Sequence, residues 1–467
     1  MNHLLNPITE DQQEALHRAS MTLLEKNGIK FMHDTALTYF KEAGFKVEDK
    51  TVFITEDQVM AALETVPKQF KWTARSEERS VTIGDGSFHA QPNAGAVYIH
   101  DAANGKRKAT LEDFANIVKI CQGLDSVTLN GSLPVDPSDI EGDDKHLYMV
   151  AETLKHTDKP WIFAAYNGKA AKQDLELARM AAGVESLDSA HRCAVVVNPH
   201  SPLAFEPDGI EVMTEYASQN QILLIAPAIM AGLTGPIDLV GMAALQNAEI
   251  LAGIVYTQLV RPGAPVVYAT SSTVGDMRRA SFCAGSPETM LINMPCLQLG
   301  REKYGLPVRT MCGLTEADQI NVQAGYESMM SFMFGFMGGA SIVVQCLGTM
   351  EALMTTSLEK LVIDAELVSR MKRFQQGPDF SALDDSVNTI LEVGSKAGYV
   401  QHPDTFKKFR SLWSPEVSVW GNTREDLTPV TRATDIYTTI LEQAQTPLIG
   451  EETAAALDAK VQEFINA

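Results

Sequence analysis

The stretch ILLIAPAIMAGLTGP (222–236) contains a continuous apolar run that ends in turn and polar residues. The same design recurs in PVVYATSS (265–272), VRTMCGLTEAD (308–318) and ASIVVQCLG (340–348). Continuous apolar runs separated by helical segments indicate a parallel sheet that is buried on both faces. If such a sheet closes into a barrel, the residues at the carboxyl ends of its strands face the functional site. The polar residues that follow these runs are therefore where chemistry is expected.

Working outward from this stretch, strand-like and helix-like segments alternate from about residue 110 onward. Two segments compete for the eighth strand position, 358–364 and the region from His89 to Tyr98. The rhythm predicts an α/β fold with a TIM (β/α)8-type barrel core over residues 110–365, and a doubly wound open sheet is the alternative. Seven strands are predicted, at 126–133, 160–166, 193–199, 222–228, 265–271, 308–313 and 341–348.

The two flanking regions differ from the barrel core in their patterns. Residues 1–109 begin with about three amphipathic helices, the first with Thr9 as a candidate N-cap and Gly28 as a stop signal. The later part of this region carries the turn dipeptides Asp85-Gly86 and Asn104-Gly105, which predict a small β-hairpin insertion. Residues 366–467 are predicted to form a helical C-terminal extension.

Charge and cysteine usage narrow the class of protein. The formal net charge of -21 argues against nucleic acid or an anionic membrane as a partner. No apolar run approaches the ~20 residues that a membrane span needs, and the N-terminus lacks the apolar core of a signal peptide. The six cysteines are scattered and lie partly in apolar runs, which is typical of a reduced, cytoplasmic protein.

Several common catalytic motifs are missing from the sequence. It has no GxxxxGK[ST] phosphate loop, no GxGxxG after a strand and no GxSxG nucleophile elbow. It also has no CxxC or HExxH spacing. We therefore expect neither a metal site nor a nucleotide site in this chain.

Aromatic and polar side chains near the strand ends are the candidates for ligand contact. For each of them, packing at a strand end or helix capping is an equally good interpretation, so the set is more persuasive than any member. Arg309 stands alone in an apolar strand, and its alternative interpretation is an ion pair with a buried acid. The candidate residues are Tyr98, Tyr166, Asn198, His200, Tyr268, Arg309 and Gln345.

The segment GLTGPIDLVGMAALQNAEILAGIVYTQLVRPGAPVVY (232–268) resembles the trimethylamine methyltransferase family, whose members pass a methyl group from an amine to a corrinoid protein. The segments DQINVQAGYESMMSFMFGFMGGAS (318–341) and LEKLVIDAELVSRM (358–371) are similar to the same family, as are NAGAVYIHD (93–101) and HPDTFKKFRSLWSPEVSVWGN (402–422). The resemblance implies a TIM barrel, a corrinoid (cobalamin) that is carried by a partner protein, and no cofactor held tightly by this chain.

One departure from the family pattern bears on the substrate. The founding members carry pyrrolysine after the sixth strand, whereas this chain reads VRTMCGLTEADQIN (308–321) there. The relatives without pyrrolysine are associated with quaternary amines such as glycine betaine, proline betaine and carnitine, so the resemblance implies such a substrate. The alternatives are a corrinoid methyltransferase that acts on a tertiary methylamine and a non-catalytic betaine-binding barrel.

Quaternary-amine chemistry fits a sequence without catalytic motifs. The departing tertiary amine is neutral and needs no proton, so the expected task of the protein is positioning rather than side-chain catalysis. A partial aromatic cage from Tyr98, Tyr166 and Tyr268 is expected to hold the cation. Arg309 is expected to bind a carboxylate, with hydrogen bonds from Asn198, His200 and Gln345. The loops 228–236 and 274–281 are expected to form the rim that meets the corrinoid protein, and a homo-oligomer is a further possibility.

Overall fold

The core of the protein is a curled sheet of seven parallel strands. The computed structural model describes residues 4–142, 144–279, 281–395, 398–421 and 428–466. The strand order around the sheet is β1-β7-β6-β5-β4-β3-β2, which follows the chain without a reversal. The strands are β1 His89–Ala90, β2 Trp161–Phe163, β3 Cys193–Val197, β4 Ile222–Ile225, β5 Val266–Ala269, β6 Val308–Met311 and β7 Ile342–Val344.

The sequential strand order confirms the barrel-type prediction. A doubly wound open sheet reverses its order at a switch point, and none occurs here. The register is regular, for example Ala194 opposite Ile222 and Leu223 opposite Val266. Six of the seven predicted strands are present, although the observed strands are shorter than the predicted ones.

The segment predicted as a strand at 126–133 is not one, and that prediction is wrong. It lies between the two edge strands β1 and β2, where the Leu129 amide donates to the Ala90 carbonyl over 3.2 Å. On the other side, the Asn130 carboxamide takes the place of backbone pairing, because its Oδ1 accepts from the Ile162 amide at 3.1 Å and its Nδ2 donates to the Ile162 carbonyl at 3.4 Å. A side chain thus bridges the gap that an eighth strand would fill.

The buried Lys159 holds the start of this segment. Its ammonium donates to the carbonyls of Cys121, Leu124 at 3.0 Å and Val127 at 2.7 Å, so it caps the helix that ends nearby. Carbonyls that are bound to an ammonium are directed away from a strand ladder. Of the two candidates for the eighth strand position, the region from His89 to Tyr98 supplies a strand of the sheet, His89–Ala90. Residues 358–364 are helical.

An outer layer of helices surrounds the sheet. Among them, α8 is long and apolar enough to cross a membrane by length and composition, but 83% of its apolar window is buried inside the protein. Contacts with the N-terminal helices on one side and the sheet on the other explain its composition. The helices are α4 Leu111–Gly123, α5 Lys145–His156, α6 Gly168–Ala182, α7 Pro207–Ser218, α8 Leu239–Val260, α9 Pro287–Gln298, α10 Val322–Met337 and α11 Leu358–Gln376.

The helices of the N-terminal region contact α8 of the outer layer. Thr9 is the N-cap of the first helix, in a capping box with Gln12. The antiparallel pair of Tyr98–Asp101 with Gly105–Lys108 confirms the hairpin predicted at Asn104-Gly105, whereas Asp85-Gly86 lies outside the other antiparallel pair, Phe70–Trp72 with Val81–Ile83. The three helices are α1 Glu10–Thr22, α2 Asp34–Glu42 and α3 Glu56–Thr65, and further short strands that were not predicted are Ile29–Phe31, Lys46–Glu48 and Thr51–Phe53.

The C-terminal region is helical in the part of the chain that the structure describes. One of its helices packs against α11 and α4, and another packs against α5 and α6. These contacts tie the extension to one side of the barrel. Its helices are α12 Leu383–Val393, α13 Pro403–Lys408, α14 Pro429–Gln443 and α15 Glu451–Ile465.

Candidate functional site

A cavity of about 490 Å³ opens at the carboxyl ends of the barrel strands. This is the face at which barrel enzymes carry their sites. Of the described residues that line it, none is Asp or Glu, and one, Arg309, carries a full charge. The polar lining comes from Gln91, Ser132, Asn198, Ser271, Arg309 and Gln345, and the larger apolar and aromatic lining from Leu133, Phe163, Tyr166, Phe282 and Met311.

Arg309 is the dominant electrostatic feature of the cavity. It lies on β6, is only 4% exposed, and donates from Nη1 to Ser271 Oγ at 2.5 Å. Burial lowers the pKa of its guanidinium to about 9, so the group stays protonated at neutral pH. Its Nε is buried without a hydrogen-bond partner among the described residues. A buried cation with an unfilled donor is poised to bind an anion.

The surroundings of Arg309 bear on the alternative interpretation, an ion pair with a buried acid. Within the described ranges, no carboxylate lies within ion-pair distance of its guanidinium. The alternative of an ion pair with a buried acid is therefore not what is found there. The nearest polar partner, Ser271, is itself held in place through its neighbour Ser272, whose amide donates to Gln246 Oε1 at 3.1 Å and whose carbonyl accepts from Asn293 Nδ2 at 2.8 Å.

Gln345 lies at the end of β7 with an unusual backbone. Its φ is 57°, in the left-handed region that a non-glycine residue rarely adopts, and such strain concentrates at functional positions. Its Oε1 is buried without a partner within the described part of the chain. Gln91, which is 1% exposed and follows β1, also has an unpartnered buried Oε1. Gln91 was missed from sequence because β1 has only two residues and gives no periodic signal.

Tyr166 supplies an aromatic side to the cavity, as the sequence predicts. It is 44% exposed and its ring makes an edge-on contact with His146, with 5.2 Å between the ring centroids. Phe163, at the end of β2, lines the same side. Asn167, directly after Tyr166, caps α6 by accepting from the Ala170 amide at 2.9 Å. The cap fixes the chain direction immediately after Tyr166.

Asn198 also lines the cavity, but its side chain has a second role. Its Nδ2 donates to the Ala226 carbonyl, which ties the ends of β3 and β4 together. His200 is exposed and is not among the cavity residues. Its amide donates to the Ala204 carbonyl at 2.8 Å, so it belongs to a turn beyond the cavity. Of these two residues only Asn198 lines the cavity, and its contact with a ligand stays a prediction.

Two of the three predicted cage tyrosines lie elsewhere. Tyr268 is fully buried between the barrel and α8, where its hydroxyl donates to Asn247 Oδ1 at 2.7 Å. Successive strand residues face opposite sides, and Val267 takes the inward position next to it. Tyr98 lies in a hairpin, with Lys106 Nζ 4.5 Å from its ring centroid. Neither tyrosine lines the cavity.

The buried lysines have structural partners. Lys360 donates to Asp364 Oδ2 at 2.7 Å and to Ser328 Oγ at 2.8 Å, while Lys159 caps α4. Neither lysine lines the cavity. Among the described residues, no group of three or more His, Cys, Asp or Glu side chains could hold a metal ion.

A parallel barrel with a polar cavity at the carboxyl ends of its strands defines a class, the barrel enzymes whose ligands bind at that face. Within this class, the chain belongs to the trimethylamine methyltransferase (MTTB) family, whose model matches residues 2–466. This confirms the resemblance that the sequence motifs indicate.

Characterised relatives cover most of the chain. A glycine betaine methyltransferase of Desulfitobacterium hafniense (strain Y51) is 33% identical over 98% of this chain and 96% of its own length. A proline betaine:corrinoid methyltransferase of Eubacterium limosum is 32% identical over 82% of this chain and 80% of its own. The crystal structure of Methanosarcina barkeri monomethylamine methyltransferase aligns with 100% of this chain and 88% of its own, with a TM-score of 0.57 and 13% identity, which supports the fold.

Proposed function

We propose that this protein is an enzyme that transfers a methyl group from a carboxylate-bearing quaternary amine to the Co(I) centre of a corrinoid protein. The relatives named for glycine betaine, proline betaine and carnitine support this class of reaction. The observation that carries the proposal is Arg309, a buried guanidinium in the cavity with no carboxylate partner among the described residues. A betaine brings the missing carboxylate.

The charge balance of the cavity favours a zwitterion over a simple cation. No acidic side chain is found among the described lining residues, whereas one arginine is. A substrate with a positive charge only would leave the arginine unpaired and would be repelled by it. A betaine neutralises the guanidinium with its carboxylate and presents its ammonium to the remaining lining. Tetraalkylammonium ions and trimethylamine have no carboxylate to pair with the guanidinium.

The residues of the cavity position the substrate and exclude water. With the carboxylate fixed by Arg309 and Ser271, one N-methyl group can be directed to the open mouth of the barrel. When the acceptor is bound, its Co(I) supplies both electrons of the new bond, and the ammonium nitrogen keeps the electrons of the broken one and leaves as a neutral tertiary amine. No proton moves, so no acid or base is required from this chain.

The corrinoid acceptor must approach at the cavity mouth, and the loops there have the character of a docking rim. Exposed apolar side chains follow four successive strands, which is typical of a protein interface. In the loop 274–281, of which residue 280 lies outside the described range, Arg279 is exposed and lies 3.8 Å from Asp276. The exposed apolar rim residues are Ile237, Met277, Val322, Tyr326 and Met354.

A methyl-transfer assay with free Co(I) cobalamin tests the proposal. Glycine betaine, proline betaine and carnitine are each offered, and choline and trimethylamine serve as the comparison donors. At least one carboxylate-bearing donor should methylate the cobalamin, which is followed by its absorbance. Turnover with trimethylamine or choline and none with a betaine would overturn the proposal. Tight betaine binding without methylation would instead support the non-catalytic binding protein.

Two further attributes stay proposals. A cytoplasmic location is in keeping with five buried free cysteines and with the burial of the apolar helix α8. A homo-oligomer is supported by apolar side chains that α12 exposes. The second attribute is developed below as a prediction.

A further inference from the structure

We infer that the carboxamide oxygens of Gln91 and Gln345 hold the trimethylammonium head of the substrate, so that ammonium recognition depends on neutral dipoles as well as aromatic faces. This inference rests on the proposed function and names how the same cavity recognises the cation. It assigns a role to Gln91, which sequence reasoning missed, and a different role to Gln345, which was expected to bind the carboxylate.

Three polar atoms of the residues that line the cavity have no hydrogen-bond partner within the described residues, and they are one donor and two acceptors. Arg309 Nε is a buried donor without a partner, and Oε1 of both glutamines is a buried acceptor without one, within the described residues. Leaving buried polar groups unsatisfied destabilises a fold, so three in one cavity require an explanation. A molecule with an anionic end and a cationic end satisfies all three at once.

The strand register separates the two kinds of group along the cavity. Arg309 is the register partner of Ile342, and Gln345 lies three residues further along β7. The Arg309 guanidinium reaches Ser271, which lies two residues beyond Ala269, the partner of Arg309 on β5. Gln345 therefore lies about one strand residue, ~3.3 Å, beyond the guanidinium. That step is comparable to the separation of the charged groups in a small betaine.

Gln91 follows β1, which neighbours β7 on the side opposite β6, and its backbone lies beside the end of β7. Its amide donates to the Val343 carbonyl at 2.9 Å, and its carbonyl accepts from the Cys346 amide at 3.2 Å. These two bonds fix its backbone beside Gln345. Both glutamines therefore follow adjacent strands, with their backbones further toward the cavity mouth than that of Arg309, and both line the cavity in which the transferred methyl group must be presented.

The chemistry of a quaternary ammonium suits such a pair of oxygens. Its positive charge is spread over the methyl groups, which make weak C–H···O contacts with carbonyl oxygens. A carboxylate at the same place would bind the ground-state cation more strongly and would oppose the loss of charge in the transition state. Neutral carboxamides orient the head without that penalty.

The test compares glycine betaine with its carbon isostere 3,3-dimethylbutyrate, whose head group is neutral, by calorimetric titration. Both ligands have the carboxylate, and only the betaine has the positive head. Wild-type protein should bind the betaine at least 10-fold more tightly than the isostere. Gln91→Leu and Gln345→Leu should each reduce that ratio about 3-fold or more, while isostere binding stays within 2-fold. Gln462→Leu, on the exposed side of α15, is the matched control and should leave the ratio unchanged.

The outcomes separate this inference from the proposed function. If betaine binds and is turned over but neither glutamine variant lowers the ratio, the carboxamides do not hold the head and the inference is wrong, while the proposed function stands. If the wild type shows no preference for betaine over its isostere, the inference also fails. If no betaine binds or transfers a methyl group, the proposed function fails first. Far-ultraviolet circular dichroism of each variant confirms that it folds as the wild type does.

Discussion

Among single residues, Arg309 shows how the surroundings of a side chain bear on two interpretations of its role. In the sequence, a lone arginine in an apolar strand indicates a carboxylate contact, with an ion pair to a buried acid as the alternative. Its burial at 4% exposure, its single bond to Ser271 and its unfilled Nε favour the ligand contact. Tyr268 shows the opposite outcome, since its hydroxyl is already bonded to Asn247 outside the cavity.

Replacing Arg309 should remove the carboxylate anchor. For Arg309→Ala we expect glycine betaine to bind at least about 30-fold more weakly, because removing one partner of a buried charge pair costs about 2–5 kcal/mol. Arg179→Ala, a surface arginine paired with Glu176 on α6, is the control and should bind as the wild type does. Calorimetric titration measures both. Unchanged betaine affinity in Arg309→Ala would show that the carboxylate is bound elsewhere.

Among the secondary-structure elements, the loop after β3 is held to helix α8 by one buried glutamic acid. Glu249 on α8 accepts from Ser201 Oγ and from the Leu203 amide, each at 2.7 Å. Burial raises the pKa of its carboxyl to about 7, against 4.5 for an unburied glutamic acid. The neutral acid is therefore the form that the fold favours at this contact. This connection leaves the barrel at Asn198, so the acid supports one side of the cavity.

The raised pKa of Glu249 predicts a pH dependence of stability. The contribution of the Glu249 carboxyl to the free energy of unfolding is fully present below pH 4.5 and is lost as the pH rises to about 7. Between these two pH values the carboxyl ionises in the unfolded chain but stays protonated in the folded chain. Glu249→Gln should lack this loss, so its free energy of unfolding relative to wild type should rise by up to about 3 kcal/mol across that window. Urea titrations at pH 4.5 and 7.5 measure the change.

A matched substitution isolates the effect of burial at Glu249. Glu185→Gln changes an exposed carboxylate in the connection between α6 and β3 and should leave the difference from wild type nearly constant over the same pH range. A Glu249→Gln variant whose stability follows that of the wild type at both pH values would mean that the Glu249 carboxyl is not the neutral group described here.

At the scale of the whole molecule, the C-terminal extension presents an apolar surface. α12 has no buried residue, and its apolar side chains Leu383, Val387, Ile390 and Leu391 follow one helical stripe with exposures of 54%, 44%, 55% and 74%. With the exposed apolar residues of 399–412, they present on the order of 800 Å², about what one partner contributes to a standard interface. We expect a second copy of this chain to cover this surface.

Sedimentation velocity tests that expectation. Wild-type protein should sediment as a dimer or a larger oligomer, and Leu391→Glu should shift it toward the monomer, because a charge at a fully buried apolar contact is costly. Met60→Glu, at an exposed apolar residue on α3, should not change the association state. A wild-type protein that remains monomeric at micromolar concentration would exclude this role for α12.

The sequence by itself determined the barrel class, six of its strands, the capped first helix and the family. These features depend on apolar periodicity and on local capping, which neighbouring residues encode. Tertiary structure alone decided that Asn130 bridges the barrel in place of a strand, that Tyr268 faces outward, and that Gln91 joins Arg309 and Gln345 in one cavity. Those outcomes depend on register and on contacts between residues far apart in the chain, which no local pattern records.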